Sequence, residues 1–179
     1  MNSSLRTLLV FLLLLFTFCE SNQDFKKEIS ELDSLMVVVK SEQKKNSALK
    51  HKINQKSKDI FLNKITETKK IFNDTLPYPF KESMELGFNS INNLQTCIQL
   101  SDSLSKLCKQ YLEQIITLKE DAQKHRIKNE LATDYFRNEK KQIKSLIQIF
   151  RQTTSEMETL DNNLNKTILA LDSLTDLKR

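Results

Sequence analysis

Glycine and proline are almost missing from this chain, and the place where they occur decides what it can fold into. One glycine and two prolines stand close together, as Pro77, Pro79 and Gly87. These residues are the strongest local punctuators of backbone structure. Segments 22–76 and 88–179 contain neither, so each reads as a long, uninterrupted helical stretch. The expected fold is all-α: an elongated antiparallel bundle of three long helices, or else a helical hairpin or coiled coil. Residues 22–179 form a single helical domain in this reading, with a Pro/Gly turn at 77–87. The proline pair cannot sit in a helix interior, because proline removes a donor and restricts the residue before it. Gly87 suits a turn or helix junction.

The same scarcity removes most enzyme classes. Phosphate loops and nucleophile elbows need glycine backbones, and no G-x-S-x-G, P-loop, G-x-G-x-x-G or H-E-x-x-H pattern occurs. The expectation is a protein that is not an enzyme, with no catalytic residues, no cofactor and no metal. The two histidines, His51 and His125, do not form a ligand set, although Asp121 lies one helical turn before His125.

Residues 1–21 read as a signal peptide. Arg6 supplies a short positive region, and Leu8–Phe18 is an unbroken apolar run. A run of that length fits a signal core and is too short to span a bilayer, which needs about 20 residues. Small residues at the right spacing allow cleavage after Ser21, or after Cys19. The expected location is secreted or extracellular. The alternatives are an uncleaved anchor and a periplasmic or membrane-anchored lipoprotein carried by Cys19, the latter opposed by Phe18 before the cysteine. Beyond the expected signal peptide, two sequons, at Asn73 and Asn165, mark candidate N-glycosylation sites if the source is eukaryotic.

From residue 88 onward a seven-residue apolar repeat persists. With Leu94 as position a, the seam runs through Cys97, Ser101, Leu104, Cys108, Tyr111, Ile115, Leu118 and Ala122, falters between His125 and Glu139, and resumes from Ile143 to Leu174. Such a seam marks a coiled coil or a long bundle helix. A second break is expected near 125–135, although no glycine or proline enforces it. The first half is less regular. Phe25, Leu32, Leu35 and Val39 open a seam, apolar side chains thin out from Lys40 to Asp59, and Ile60, Phe61, Ile65 and Phe72 resume on a shifted register.

Cys97 and Cys108 are a candidate disulfide in an exported chain. Eleven helical residues rise about 16.5 Å, whereas a disulfide holds Cα atoms within about 7 Å. Pairing within the chain therefore requires a helix break at Ser101–Ser103. Pairing between chains and two buried free thiols are the other readings.

Charge is unevenly spread about a net +5. Residues 40–70 carry ten lysines against Glu42, Asp59 and Glu67, while 152–176 carry five acids against Lys166. The basic stretch is also the apolar-poor one. Lys40, Lys44, Lys45, Lys50, Lys52, Lys56 and Lys58 form a candidate anion-binding face. The competing reading is a solvated face whose lysines pair with the acidic C-terminal segment. Specific nucleic-acid readout is not expected, because the run lacks arginines and interleaved aromatics. The resulting expectation is a secreted or cell-envelope, non-enzymatic helical interaction protein that engages a protein partner or its own copies. The alternative is a helical protein that binds membrane surfaces or polyanions, toxin-like or lipid-binding, through the Lys-rich 40–70 segment.

Overall fold

The computed structural model describes residues 25–53, 56–72 and 78–176. Four helices cover nearly all of them: α1 (Lys26–Ile53), α2 (Lys56–Ile71), α3 (Tyr78–Gln123) and α4 (Asn129–Asp176). They form three arms, because α1 and α2 follow one another along α4. Cross-bundle pairs fix the directions. Lys140 bonds Glu31 and Arg151 bonds Glu42, each 109 residues away, and Asn46 bonds Thr154 at a separation of 108. A constant offset means that α1 runs parallel to α4. Helix α3 runs antiparallel to both and returns the chain between the two parallel arms. The result is the expected three-helix bundle. At 1.5 Å per residue, α3 and α4 are each about 70 Å long.

The heptad seam is the core. Leu94, Leu104, Ile115, Ala132, Phe136, Ile143, Phe150, Met157, Leu164 and Leu171 are all buried. The polar seam positions Ser101, Glu139, Thr153 and Thr167 are buried with them. From Phe25, just before α1, buried positions also recur every seven residues along it, as Leu32, Val39, Asn46 and Ile53. Each fully buried Leu, Ile, Phe or Met contributes about 1.5–3 kcal/mol of apolar transfer. The core divides into a large cluster around Phe25, Phe136 and Phe150, a small one around Ile53, Cys97 and Met157, and a third around Phe61, Phe80 and Leu164.

The first arm is described in two parts, α1 and α2. Between them the seam changes register: among the described residues, the next buried side chain after Ile53 is Phe61, eight residues on. The turn expected over 77–87 is corrected in extent. Helix α3 already runs from Tyr78, so Pro79 falls in its first turn and Gly87 lies inside it. Proline is tolerated in a first turn because those N–H groups have no intrahelical partner. Gly87 serves close packing instead of a turn. A Cβ at this position would overlap the Phe61 ring and stand 3.1 Å from the Thr167 γ-methyl, so α2 and α4 meet α3 where it has no side chain.

The second break is present. Helix α3 ends at Gln123, and His125 takes a left-handed φ of 51°. The Arg126 N–H donates to Asp121 O at 2.8 Å and the His125 N–H to Ala122 O at 3.2 Å. This pair of bonds is a Schellman C-cap with histidine at the position that glycine normally takes. The Arg126 guanidinium also bonds the Asp121 carboxylate at 3.4 Å, tying the same two residues through their side chains.

Candidate interaction surface

The basic face lies on α1 and on the first residues of α2. Half of the α1 circumference is buried, so its lysines project from the other half. Lys45 pairs with Glu42 at 3.4 Å, and Lys50 reaches Asp102 on α3. Lys40, Lys44, Lys52 and Lys58 are exposed and make no ion pair among the described residues. The side chain of Lys56 lies outside the described set, as do Asn73 and the expected signal peptide 1–21. Compensation by the acidic C-terminal segment is slight. Lys64 bonds Asp172 at 2.7 Å, with its pKa raised chiefly by that hydrogen bond, and Ser57 donates to Asp161 at 2.9 Å. Lys40, Lys44 and Lys50 look instead toward α3.

Helices α1 and α3 each pack closely on α4 but only loosely on each other. Their seam is bridged by polar pairs: Lys119 with Asp33, Gln43 with the Ser105 carbonyl, Ser101 with Asn46, and Lys50 with Asp102. Between and beyond these bridges the seam opens as a groove in three stretches. The first, of about 740 Å³, is walled by Phe25, Ile29, Val37 and Ala122 beside Asp33 and His125. The middle stretch, about 660 Å³, is lined by Lys40, Lys44, Ser47, His51, Asp102 and Ser105. The last, about 360 Å³, lies between Ile53 and Lys58 on one side and Ile91, Leu94 and Ile98 on the other. Val37 is 69% exposed, a large apolar side chain left in water at the groove's edge.

Beneath the middle stretch a polar layer interrupts the core. Buried Ser101 donates to the Asn46 amide oxygen, and Asn46 Nδ2 donates to Thr154 Oγ1 at 3.0 Å. The three residues come one from each arm. Glu42, buried on the same helix, accepts from Arg151 Nε at 3.2 Å. Burial pushes its carboxyl up, but Arg151 and Lys45 outweigh burial and hold it below the ordinary carboxylate range. Glu139 is the contrast. Gln114 donates to its Oε1 at 2.8 Å, its Oε2 is buried with no hydrogen-bond partner among the described residues, and burial pushes the carboxyl up.

Cys97 and Cys108 are both buried free thiols on one continuous helix. The break at Ser101–Ser103 that a pairing within the chain requires is not there. Cys97 approaches Glu156 at 3.8 Å, and Cys108 approaches Gln43 Oε1 at 3.7 Å. Burial raises both thiol pKa values; Glu156 adds to it at Cys97 and Lys40 opposes it at Cys108. His51 lines the groove, and His125 caps α3 at its far end. Asp121 faces Arg126, and no group of three His, Cys, Asp or Glu converges among the described residues. Asn165 is exposed on α4, whereas Thr167 of the same sequon is buried and donates to Asn163 O at 3.0 Å. No described helix is long and apolar enough to cross a membrane.

Sequence reasoning missed Glu42, Asn46 and the whole α3 wall of the groove. The seven-residue spacing from Phe25 through Leu32 and Val39 runs straight to Asn46, so periodicity carried the signal while polarity concealed it. No protein-family model, curated protein or solved structure matches this chain.

Proposed function

We propose that this is an exported, non-enzymatic interaction protein that presents its helical surface to a protein partner. The observation that carries the reading is the open seam between α1 and α3, where two helices that share a core leave a long groove to solvent. A bundle that needed only to be stable would close that seam. The apolar run Leu8–Phe18 supports export, and the exposed Asn165 sequon supports glycosylation in a eukaryotic secretory route. The test is co-purification from the native source under mild conditions, followed by reconstitution with purified components. A stoichiometric protein partner is the expected result; a chain that never retains one refutes the reading.

A second reading rests on its own observation. Lys40 and Lys44 are exposed and make no ion pair among the described residues, which suits an anionic membrane surface or polyanion. Binding to heparin and to anionic vesicles at low and at moderate salt tests it, since exposed charge contacts weaken as the Debye length shortens to about 8 Å. Retention that is absent, or insensitive to salt, removes it.

A further inference from the structure

Resting on the interaction reading, we infer that the occupant of the α1/α3 groove is an acidic amphipathic helix, seated lengthwise as a fourth helix of the bundle. Three properties of the groove point to this partner. The first is its length. Its three stretches, spaced between the polar bridges, together follow the whole 28-residue length of α1 and reach the start of α2, a span of about 42 Å. The second is its chemistry along that span. Both end stretches leave apolar side chains at least partly accessible, Ile29 and Val37 at one end and Ile98 at the other, above the buried Ala122, Ile53 and Ile91. A helix with an apolar stripe uses such ends, and a sulfated polysaccharide does not.

The third property is charge. Asp33 and Asp102, the acids facing the first and middle stretches, are already neutralised by Lys119 and Lys50. Lys40 and Lys44 are left without a counter-charge in the middle stretch. The complementary ligand therefore carries carboxylates at its centre and apolar side chains toward its ends, on one helical face. Two antiparallel helices that share a third helix behind them present the seat into which the fourth helix of a bundle fits. Charged contacts of this kind act mainly on encounter and specificity, and the apolar ends set residence.

The test is selection from a displayed library of random peptides about 25 residues long, a length that matches the groove at 1.5 Å per residue. The bait is the mature chain, and the enriched peptides are then synthesised for titration. Enriched sequences should share a helical apolar period with Asp or Glu near the centre. Lys40→Glu combined with Lys44→Glu should weaken their binding by about tenfold or more, and Val37→Glu should weaken it independently. All three positions are exposed, and unchanged thermal melts verify that each variant folds. Leu107→Ser, on the seam between α3 and α4, should leave binding unchanged.

Peptides that bind only through Leu107 would overturn the groove assignment while sparing the interaction reading. No enrichment on any surface would count against both. Heparin or anionic-vesicle binding abolished by Lys40→Glu/Lys44→Glu, with peptides unaffected, would overturn the assignment in favour of a polyanion. Self-association lost in that double variant would overturn it in favour of a second copy.

Discussion

At the scale of single residues, the informative positions are polar side chains in an apolar seam. Asn46 stands where α1, α3 and α4 converge, accepting from Ser101 and donating to Thr154. Truncation to alanine leaves the buried Ser101 hydroxyl without its acceptor, while half-buried Thr154 keeps its bond to the Phe150 carbonyl, so Asn46→Ala is expected to cost about 1–3 kcal/mol in chemical denaturation. Asn46→Leu should cost less, because it fills the volume, but should loosen the register that the layer specifies. The two buried glutamates respond to pH with opposite sign. The native state holds the Glu139 proton more tightly than the unfolded chain does, so the molecule gains stability as pH falls from neutral toward the unfolded value near 4.3. Glu42 is held below that value, and its contribution is lost as pH falls further. Glu139→Gln should therefore raise the melting temperature at pH 7, by up to about 1 kcal/mol of stability. The advantage should vanish near pH ~4.3, where the unfolded carboxyl titrates. Melting curves at pH 4, 5.5 and 7 measure it, and an advantage that does not shrink with pH would refute it.

The same divide between pattern and composition governs whole elements. The fold was legible because a seven-residue period survives substitution: Ser101, Glu139, Thr153 and Thr167 break the apolar rule and are still buried on schedule. What stayed hidden were events with no compositional mark. The shift of register between Ile53 and Phe61 has no glycine or proline to announce it. The α3–α4 turn closes on a histidine, where the backbone bonds of the cap and the Asp121–Arg126 pair do what a glycine would do locally. Gly87 misled in the other direction, since a lone glycine beside two prolines resembles a turn, whereas here it admits Phe61 against α3. Two substitutions separate these roles. His125→Gly relieves a left-handed residue and should stabilise by about 0.5–1 kcal/mol. Gly87→Ala gains helix propensity of about 1 kcal/mol, but the Phe61 ring, fully buried, must move to admit the methyl at a cost of about 1–3 kcal/mol. Urea titration should find Gly87→Ala neutral to destabilising, the reverse of the result at an exposed helical glycine.

At the scale of the molecule, the surface was legible only by half. The lysine run announces a basic face, but its significance depends on what stands across from it, and Asp102, Ser105, Ile91 and Ile98 belong to a helix some 50 residues away. Only the antiparallel return of α3 turns a charged stretch into one wall of a groove. The cysteines raise the matching question of assembly. Both thiols are enclosed by the bundle, Cys108 fully and Cys97 nearly so, and burial raises their pKa values, so the reactive thiolate is scarce at neutral pH. A bundle that buries its own seam needs no covalent partner. The chain should therefore sediment at the same mass with and without reductant. Its thiols should react with an aromatic disulfide reagent at a rate that follows opening of the bundle, accelerating sharply in denaturant. Destabilising the core near Cys97 with Met157→Ala, at a cost of about 2–5 kcal/mol, should speed labelling of both thiols if opening is global and of Cys97 alone if the bundle opens locally. A doubled mass that reductant halves would instead place a cysteine at an interface between chains, and would require α3 to turn that face outward.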